Sequence, residues 1–210
     1  MKPTVSLVIT TYNRKDALEL VLLSALQQSI PPNEIIVADD GSREDTGELV
    51  RQYAKNSSVP IIHCWQEDTG FRLAAVRNLA IAKAQYEYII MVDGDMILHQ
   101  HFIKSHRRHA APNRFLQGSR VLMQSQLTEE SLKIKRTKFN FFSKGITSRL
   151  NSLYLPWLSW LVSRKVDDIM RTRGCNQSFW ASDLKEVNGF NEDFVRSEER
   201  RVGKECRSRW

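Results

Sequence analysis

Tyr88-Ile89-Ile90-Met91-Val92 leads without a break into Asp93-Gly94-Asp95. A short apolar run that closes in turn-forming residues reads as a buried strand, and it sets both carboxylates at the strand's exit. Two acids so placed suit a hard divalent cation such as Mg²⁺ or Mn²⁺, with coordination positions left over for phosphate oxygens. Turn formation and helix capping are the competing explanation for such a pair.

The same pattern recurs upstream. Val5 to Thr10 is a β-rich run, after which Asn13 offers a helix cap with Asp16 three residues on, and Leu18, Val21, Leu22, Ala25 and Leu26 mark one helical face. Pro31-Pro32 stops that helix. Ile35-Ile36-Val37 is a second strand, running into Asp39-Asp40-Gly41-Ser42, where Ser42 and Asp45 are expected to cap a helix reaching about Lys55. Ile61 to Trp65 is a third strand and Leu73 to Ala84 a helix before the strand that ends at Val92. Strands bridged by helices of this length require right-handed crossovers, so the fold class is α/β, a mostly parallel sheet with helices on both faces. Ligands of such sheets bind beyond the carboxyl ends of the strands. Three polar clusters fall there: Thr10-Thr11-Tyr12-Asn13, Asp39-Asp40 and Asp93-Gly94-Asp95.

With 210 residues, 41% of them hydrophobic, the chain can bury a core in one domain, or in one domain with an appendage. Met1-Lys2-Pro3-Thr4 enters the first strand directly, so no secretory leader is expected, and no uninterrupted apolar stretch reaches bilayer length. Cys64, Cys175 and Cys206 are scattered and odd in number, which points to a reducing, cytoplasmic setting. The formal charge of +7 invites nucleic acid, but residues 196–210 hold six basic and three acidic residues, leaving 25 basic against 21 acidic elsewhere. Much of that remaining excess lies between Lys133 and Arg173 among aromatic and leucine side chains. No nucleic-acid partner is therefore expected. A surface meeting an anionic membrane or acidic glycolipid fits better, which would put a cytoplasmic protein at the periphery of a membrane.

The second half is less regular. Glu129 to Ser163 carries Lys133, Lys135, Arg136, Lys138 and Lys144 around Phe139, Phe141 and Phe142, then Leu153 to Val162 with Trp157 and Trp160. It reads as one or two amphipathic helices interrupted near Pro156, either packed on the sheet or lying at an interface. His99, His101, His106 and His109 recur at helical spacing and are expected on a solvated helix face. Asn176-Gln177-Ser178-Phe179-Trp180 precedes a short helix to Val187 that Asn188-Gly189 closes.

From Thr4 to Val195 these motifs resemble family 2 glycosyltransferases of the GT-A fold, a Rossmann-like sheet. Ser6-Leu7-Val8-Ile9-Thr10-Thr11-Tyr12-Asn13 and Val37-Ala38-Asp39-Asp40-Gly41-Ser42 look like the family's nucleotide-binding loops. Gly70-Phe71-Arg72-Leu73-Ala74-Ala75-Val76-Arg77-Asn78 is similar to the segment before the metal motif in bacterial chondroitin and hyaluronan polymerases. Arg173 to Phe194 resembles the C-terminal half of galactosyl- and N-acetylgalactosaminyltransferases. The resemblance implies a UDP-sugar donor and a glycan or glycolipid acceptor. Thr10 and Tyr12 would line the uracil, Asp40 would accept from its ring N–H, and Arg72 would meet the base or diphosphate at a helix start. Arg77 is either a second such group or a structural ion pair. Asp93 and Gly94 would approach the ribose, and Asp95 with Asp93 would hold Mn²⁺ or Mg²⁺.

By the same resemblance the reaction is inverting, with a general base on a Trp-Gly-x-Glu-Asp-like segment just past the Asn-Gly-Phe turn. The sequence lacks that segment: the base is expected beyond Val195, and Glu192-Asp193 reads as loop charge. Arg196 to Trp210 resembles a translated sequencing adapter, a non-native tail on a chain truncated at its C-terminus. The expected organisation is a nucleotide-sugar-binding half over 1–110, an incomplete acceptor half over 111–195 with a basic aromatic insertion at about 129–163, and that tail. Two other functions remain open, a nucleotidyltransferase and a non-catalytic nucleotide- or glycan-binding module. Against the first stands the absence of a Gly-rich phosphate loop after the first strand.

Overall fold

A computed structural model describes residues 2–154, 157 and 174–193. Val195, the tail at 196–210 and most of the stretch from Leu155 to Arg173 lie outside the described residues.

The alternating first half forms as its pattern requires: β1 Val5–Thr11, α1 Lys15–Leu26, β2 Glu34–Asp39, α2 Glu44–Asn56, β3 Ile61–Trp65, α3 Leu73–Lys83 and β4 Tyr88–Asp93. There follow α4 Phe102–His109, β5 Leu116–Gln117, β6 Leu122–Met123, α5 Ser125–Ile134, β7 Ile146–Thr147, a 3₁₀ turn at Arg149–Ser152, β8 Asn176–Trp180 and α6 Ala181–Glu186. Six strands make one sheet in the order β3-β2-β1-β4-β8-β5, and β6 pairs with β7 apart from it. The β3-β2-β1-β4 block is parallel, while β8 runs antiparallel to both β4 and β5.

Both faces of the parallel block are covered, which is why its strands are continuously apolar rather than alternating. Leu7, Ile9, Ile35, Val37, Ile90 and Val92 point to one side, against Leu18, Val21, Leu22, Leu49 and Ile103 of α1, α2 and α4. Val8, Ile36, Ala38, Ile89 and Met91 point to the other, against Val76, Ala80, Ile81 and Leu184 of α3 and α6. Each of these side chains other than the alanines contributes about 1.5–3 kcal/mol by leaving water. Among the described residues no helix is long and apolar enough to cross a membrane, and Cys64 and Cys175 are buried free thiols.

Several local expectations are corrected. Asn13 does not cap α1: its φ of 49° is left-handed, a conformation asparagine tolerates. Its amide bridges loops instead, the backbone N–H donating to Ser42 Oγ at 2.8 Å and Oδ1 accepting from Arg43 N–H at 3.0 Å. Ser42 is therefore committed to Asn13, and neither α1 nor α2 has a side-chain cap. The aromatic stretch is not a continuous amphipathic helix, because α5 ends at Ile134 where Lys135 turns left-handed at φ 52°. The expected helix beyond Leu155 lies outside the described residues.

His106 is also corrected, from solvated face to buried interior at 6% exposure. Its Nδ1 lies 2.7 Å from Ser178 Oγ and its Nε2 3.0 Å from Asn176 Oδ1, while Tyr88 Oη lies 2.8 Å from the same Ser178 hydroxyl. Asn176 Nδ2 donates to the Ser119 carbonyl at 3.2 Å, so Oδ1 faces the ring and accepts from Nε2–H. Tyr88 then donates to Ser178 and Ser178 to Nδ1, one consistent chain that pins α4 to β8 and β4 around a neutral imidazole.

Burial pushes the His106 pKa down to about 4, from an ordinary 6.5. Below pH 6.5 the unfolded chain takes up a proton that the folded chain refuses until about pH 4, so stability falls as pH drops through that window. Urea unfolding should lose about 3 kcal/mol across it through this residue. A His106→Gln variant, though less stable at neutral pH, should lack that part of the slope; identical pH slopes in the two proteins would refute the assignment.

Candidate functional site

The register of the parallel block brings the three polar clusters together. β1 and β4 pair so that Thr10 lies beside Asp93, and β1 and β2 so that Thr11 lies beside Asp39. Beyond these pairs the chain bends out of the sheet at Tyr12, Asp40 and Gly94. Thr10, Thr11, Tyr12, Arg14, Asp40, Phe71, Leu73, Asp93, Gly94 and Asp95 line a single cleft of about 340 Å³ at the carboxyl ends of the strands. Every site residue expected from sequence is in that lining except Arg72. The Arg72 guanidinium donates to Thr69 Oγ1 at 3.1 Å, and it is the main-chain N–H of Arg72 that meets Asp40 Oδ2, at 2.9 Å.

Two glycines make the convergence possible. A Cβ on Gly94 would sit 2.4 Å from the Thr10 carbonyl oxygen, and one on Gly41, at φ +91°, would meet the Asp68 backbone at 2.6 Å. Any side chain at 94 would prise β4's exit away from β1, and any at 41 would displace the loop after β3.

The four aspartates occupy four environments. Asp39 is fully buried and spent on structure: Oδ1 accepts from Ser42 N–H at 2.8 Å, and Oδ2 lies 2.9 Å from His63 Nε2. Asp40 also accepts from the Gln66 amide, so with Arg72 N–H it ties the loop after β3 to the start of α3. A carboxylate offers about four acceptor positions, so Asp40 keeps capacity for a ligand donor inside the cleft. Asp93 accepts from Thr10 Oγ1 at 3.3 Å and lies 3.6 Å from Arg77, whose guanidinium is also stacked 5.4 Å above the Phe190 ring. Asp95 is exposed at the mouth.

Burial raises the Asp93 pKa; Arg77 opposes this, Asp95 adds to it, and Thr10 and Arg120 oppose it weakly. The carboxyl is thus costly to ionise chiefly because it is buried, and a divalent ion beside it would favour the charged form. Among the described residues no cluster of three or more His, Cys, Asp or Glu side chains forms a complete cage. Two carboxylates and open positions suit a cation that takes its other ligands from phosphate and water.

Sequence reasoning missed four contributors. Gln66 and Asp68, the latter accepting from Tyr12 Oη at 2.9 Å and raising that phenol's pKa, lie on an irregular loop without periodicity. Arg120 reaches Cys175 Sγ at 3.5 Å from a segment with no motif. Thr11 was within a quoted cluster but is distinct: its buried Oγ1 has no hydrogen-bond partner among the described residues, although it lines the cleft.

A model of the family described as glycosyl transferase family 2 matches residues 6–169. Chondroitin synthase of Escherichia coli is 34% identical over 137 residues, 60% of this chain and 20% of that protein, so the chain spans about a fifth of that relative's length. Among solved structures, the mannosyltransferase PcManGT of Pyrobaculum calidifontis, in complex with GDP-Man and Mn²⁺, superposes with a TM-score of 0.62 at 18% identity, over 96% of this chain and 51% of that one. S. aureus TarS in complex with UDP-GlcNAc gives 0.58 at 18% identity, over 95% and 52%. These likenesses establish the GT-A fold, with its mostly parallel sheet.

Thr11→Val replaces the unpaired hydroxyl by a methyl of the same shape. The ligand-free chain should gain up to about 1 kcal/mol in urea unfolding, because a buried unsatisfied group is removed. A loss of similar size would mean that Oγ1 is hydrogen-bonded in solution.

Proposed function

Because the chain belongs to glycosyl transferase family 2, we propose that it takes part in moving a sugar, galactose or N-acetylgalactosamine or a close relative, from a UDP-sugar to a hydroxyl of a bacterial surface polysaccharide or lipid-linked glycan. In this reading the reaction takes place at the cytoplasmic face of the plasma membrane. The observation that carries this reading is the convergence of Thr10, Tyr12, Asp40, Asp93 and Asp95 on one cleft at the sheet's carboxyl edge. The chondroitin synthase relative and the sugar-nucleotide ligands of the two structural neighbours support it. Nothing in the cleft favours a nucleotidyltransferase or a purely binding role.

In this reading Tyr12 and Thr10 flank the base, and Asp40 accepts the ring N–H while its ties to Gln66 and Arg72 keep it from swinging. Mn²⁺ or Mg²⁺, held by Asp95 and Asp93, would supply Lewis-acid stabilisation of the charge that builds on the departing diphosphate. Arg77 holds Asp93 in place from the protein side. The acceptor attacks the anomeric carbon from the opposite face, with inversion, and its proton goes to a carboxylate expected beyond Val195, outside the described residues.

Calorimetry with UDP, with and without Mn²⁺, tests this. Mn²⁺ should raise UDP affinity, and Asp95→Ala, at an exposed position, should abolish an increment of about tenfold or more while leaving metal-free binding unchanged. Since burial raises Asp93 above the ordinary 3.8, protons compete with the cation, and the Mn²⁺ increment should shrink as pH falls toward that carboxyl range. UDP affinity indifferent to Mn²⁺ in the wild-type chain would contradict the reading, and GDP binding more tightly than UDP would reassign the base.

A further inference from the structure

Residues 135–151 build an exposed feature that shares no residue with the cleft. After α5 ends at Ile134, the chain makes a tight turn at Asn140–Ser143, closed by Ser143 N–H to the Asn140 carbonyl at 3.0 Å. Two side-chain bonds brace it: Asn140 N–H to Ser143 Oγ at 3.0 Å, and Phe142 N–H to Asn140 Oδ1 at 3.0 Å. Phe141 and Phe142 occupy its two central positions, their rings edge to face at 5.4 Å, and Phe142 is 83% exposed. Phe141 also lines an open groove of about 460 Å³ with Ser148, Arg149, Leu150 and Asn151, and Leu150 is 76% exposed. Lys138, Lys144 and Arg149, all exposed, follow or precede these apolar residues closely in the chain. From Lys133 to Asn151 there are six basic residues and no acidic one.

Large apolar side chains held in water by a braced turn are costly unless something covers them. The charge says what. The core of a protein interface is depleted in lysine, because each ammonium would have to be desolvated without a partner. A lipid headgroup region instead takes aromatic rings at the acyl boundary while nearby lysines stay solvated against anionic phosphates. We propose that the Asn140–Ser143 turn and the Arg149-Leu150 groove form a docking surface for an anionic bilayer, with Phe142 and Leu150 inserting and Lys138, Lys144 and Arg149 meeting the phosphates. This rests on the membrane-side placement in the preceding reading and gives it residues, but it does not depend on the identity of the donor.

Co-sedimentation of the full chain with vesicles of phosphatidylglycerol and phosphatidylcholine tests it. Binding should be strong at low salt, fall as salt is raised and be weak with phosphatidylcholine alone. Phe142→Ser should lower the partition coefficient by about tenfold. Lys138→Glu with Lys144→Glu should lower it by at least about tenfold and flatten the salt dependence. Every variant keeps residues 196–210, so any pull from that basic stretch cancels, and far-UV circular dichroism verifies folding. Absence of binding to the anionic vesicles, or binding unchanged by Phe142→Ser, would overturn the proposal. So would self-association in sedimentation velocity that Phe142→Ser abolishes, since the occupant would then be a second copy. Nucleotide calorimetry on the same samples reports on the donor site independently.

Discussion

The exits of β1 and β4 touch. With 2.4 Å between the Thr10 carbonyl and the place where a Cβ on residue 94 would stand, only glycine lets the two central strands end side by side. Everything at the cleft follows from that contact. It sets Thr10 Oγ1 on Asp93, projects Asp95 to the mouth, and leaves Thr11 facing the opening with its hydroxyl unpaired among the described residues. The apolar strands behind it act as a rigid frame, sandwiched between α1, α2 and α4 on one face and α3 and α6 on the other. A carboxylate held by such a frame does not have to reorganise when charge arrives, which is the condition for electrostatic stabilisation to be large.

The aspartates at the strand exits divide the work through burial rather than residue type. Asp39 is held between His63 and the Ser42 amide and serves the turn. Asp40 is half committed, its ties to the loop after β3 making that loop a wall of the cleft. Asp93 keeps a raised pKa even with Arg77 beside it, because burial strips its carboxylate of water. Asp95 is free to reach outward. A gradient from satisfied to unsatisfied carboxylate thus runs from the second strand to the fourth.

Much of this was legible in the residues. The apolar runs ending in Asp39-Asp40 and in Asp93-Gly94-Asp95, with helical periodicity between them, were enough for a parallel sheet and for a site on its carboxyl edge. What escaped depended on tertiary contacts. Asn13 carries capping chemistry but meets Arg43 and Ser42 on another loop, and its left-handed backbone cannot be read locally. Arg72 carries a further contact that its residue type does not announce, its backbone N–H tying Asp40 in place. His106 shares its spacing with three less buried histidines, and only Asn176 and Ser178, 70 and 72 residues away, make burial tolerable. Gln66 and Asp68 sit on a loop whose shape depends on Gly41 leaving room for it.

The central claim is that the carboxylates at the exit of β4 hold a cation against a nucleoside diphosphate lying along the ends of β1 and β2. Anomalous diffraction at the manganese edge, from crystals grown with UDP and Mn²⁺, tests it most directly. A single manganese peak in contact with Asp95 and the diphosphate, with the base between Tyr12 and Asp40, is the predicted result. Nucleotide seated in the cleft with no manganese beside Asp93 or Asp95, or manganese bound elsewhere on the chain, would contradict it.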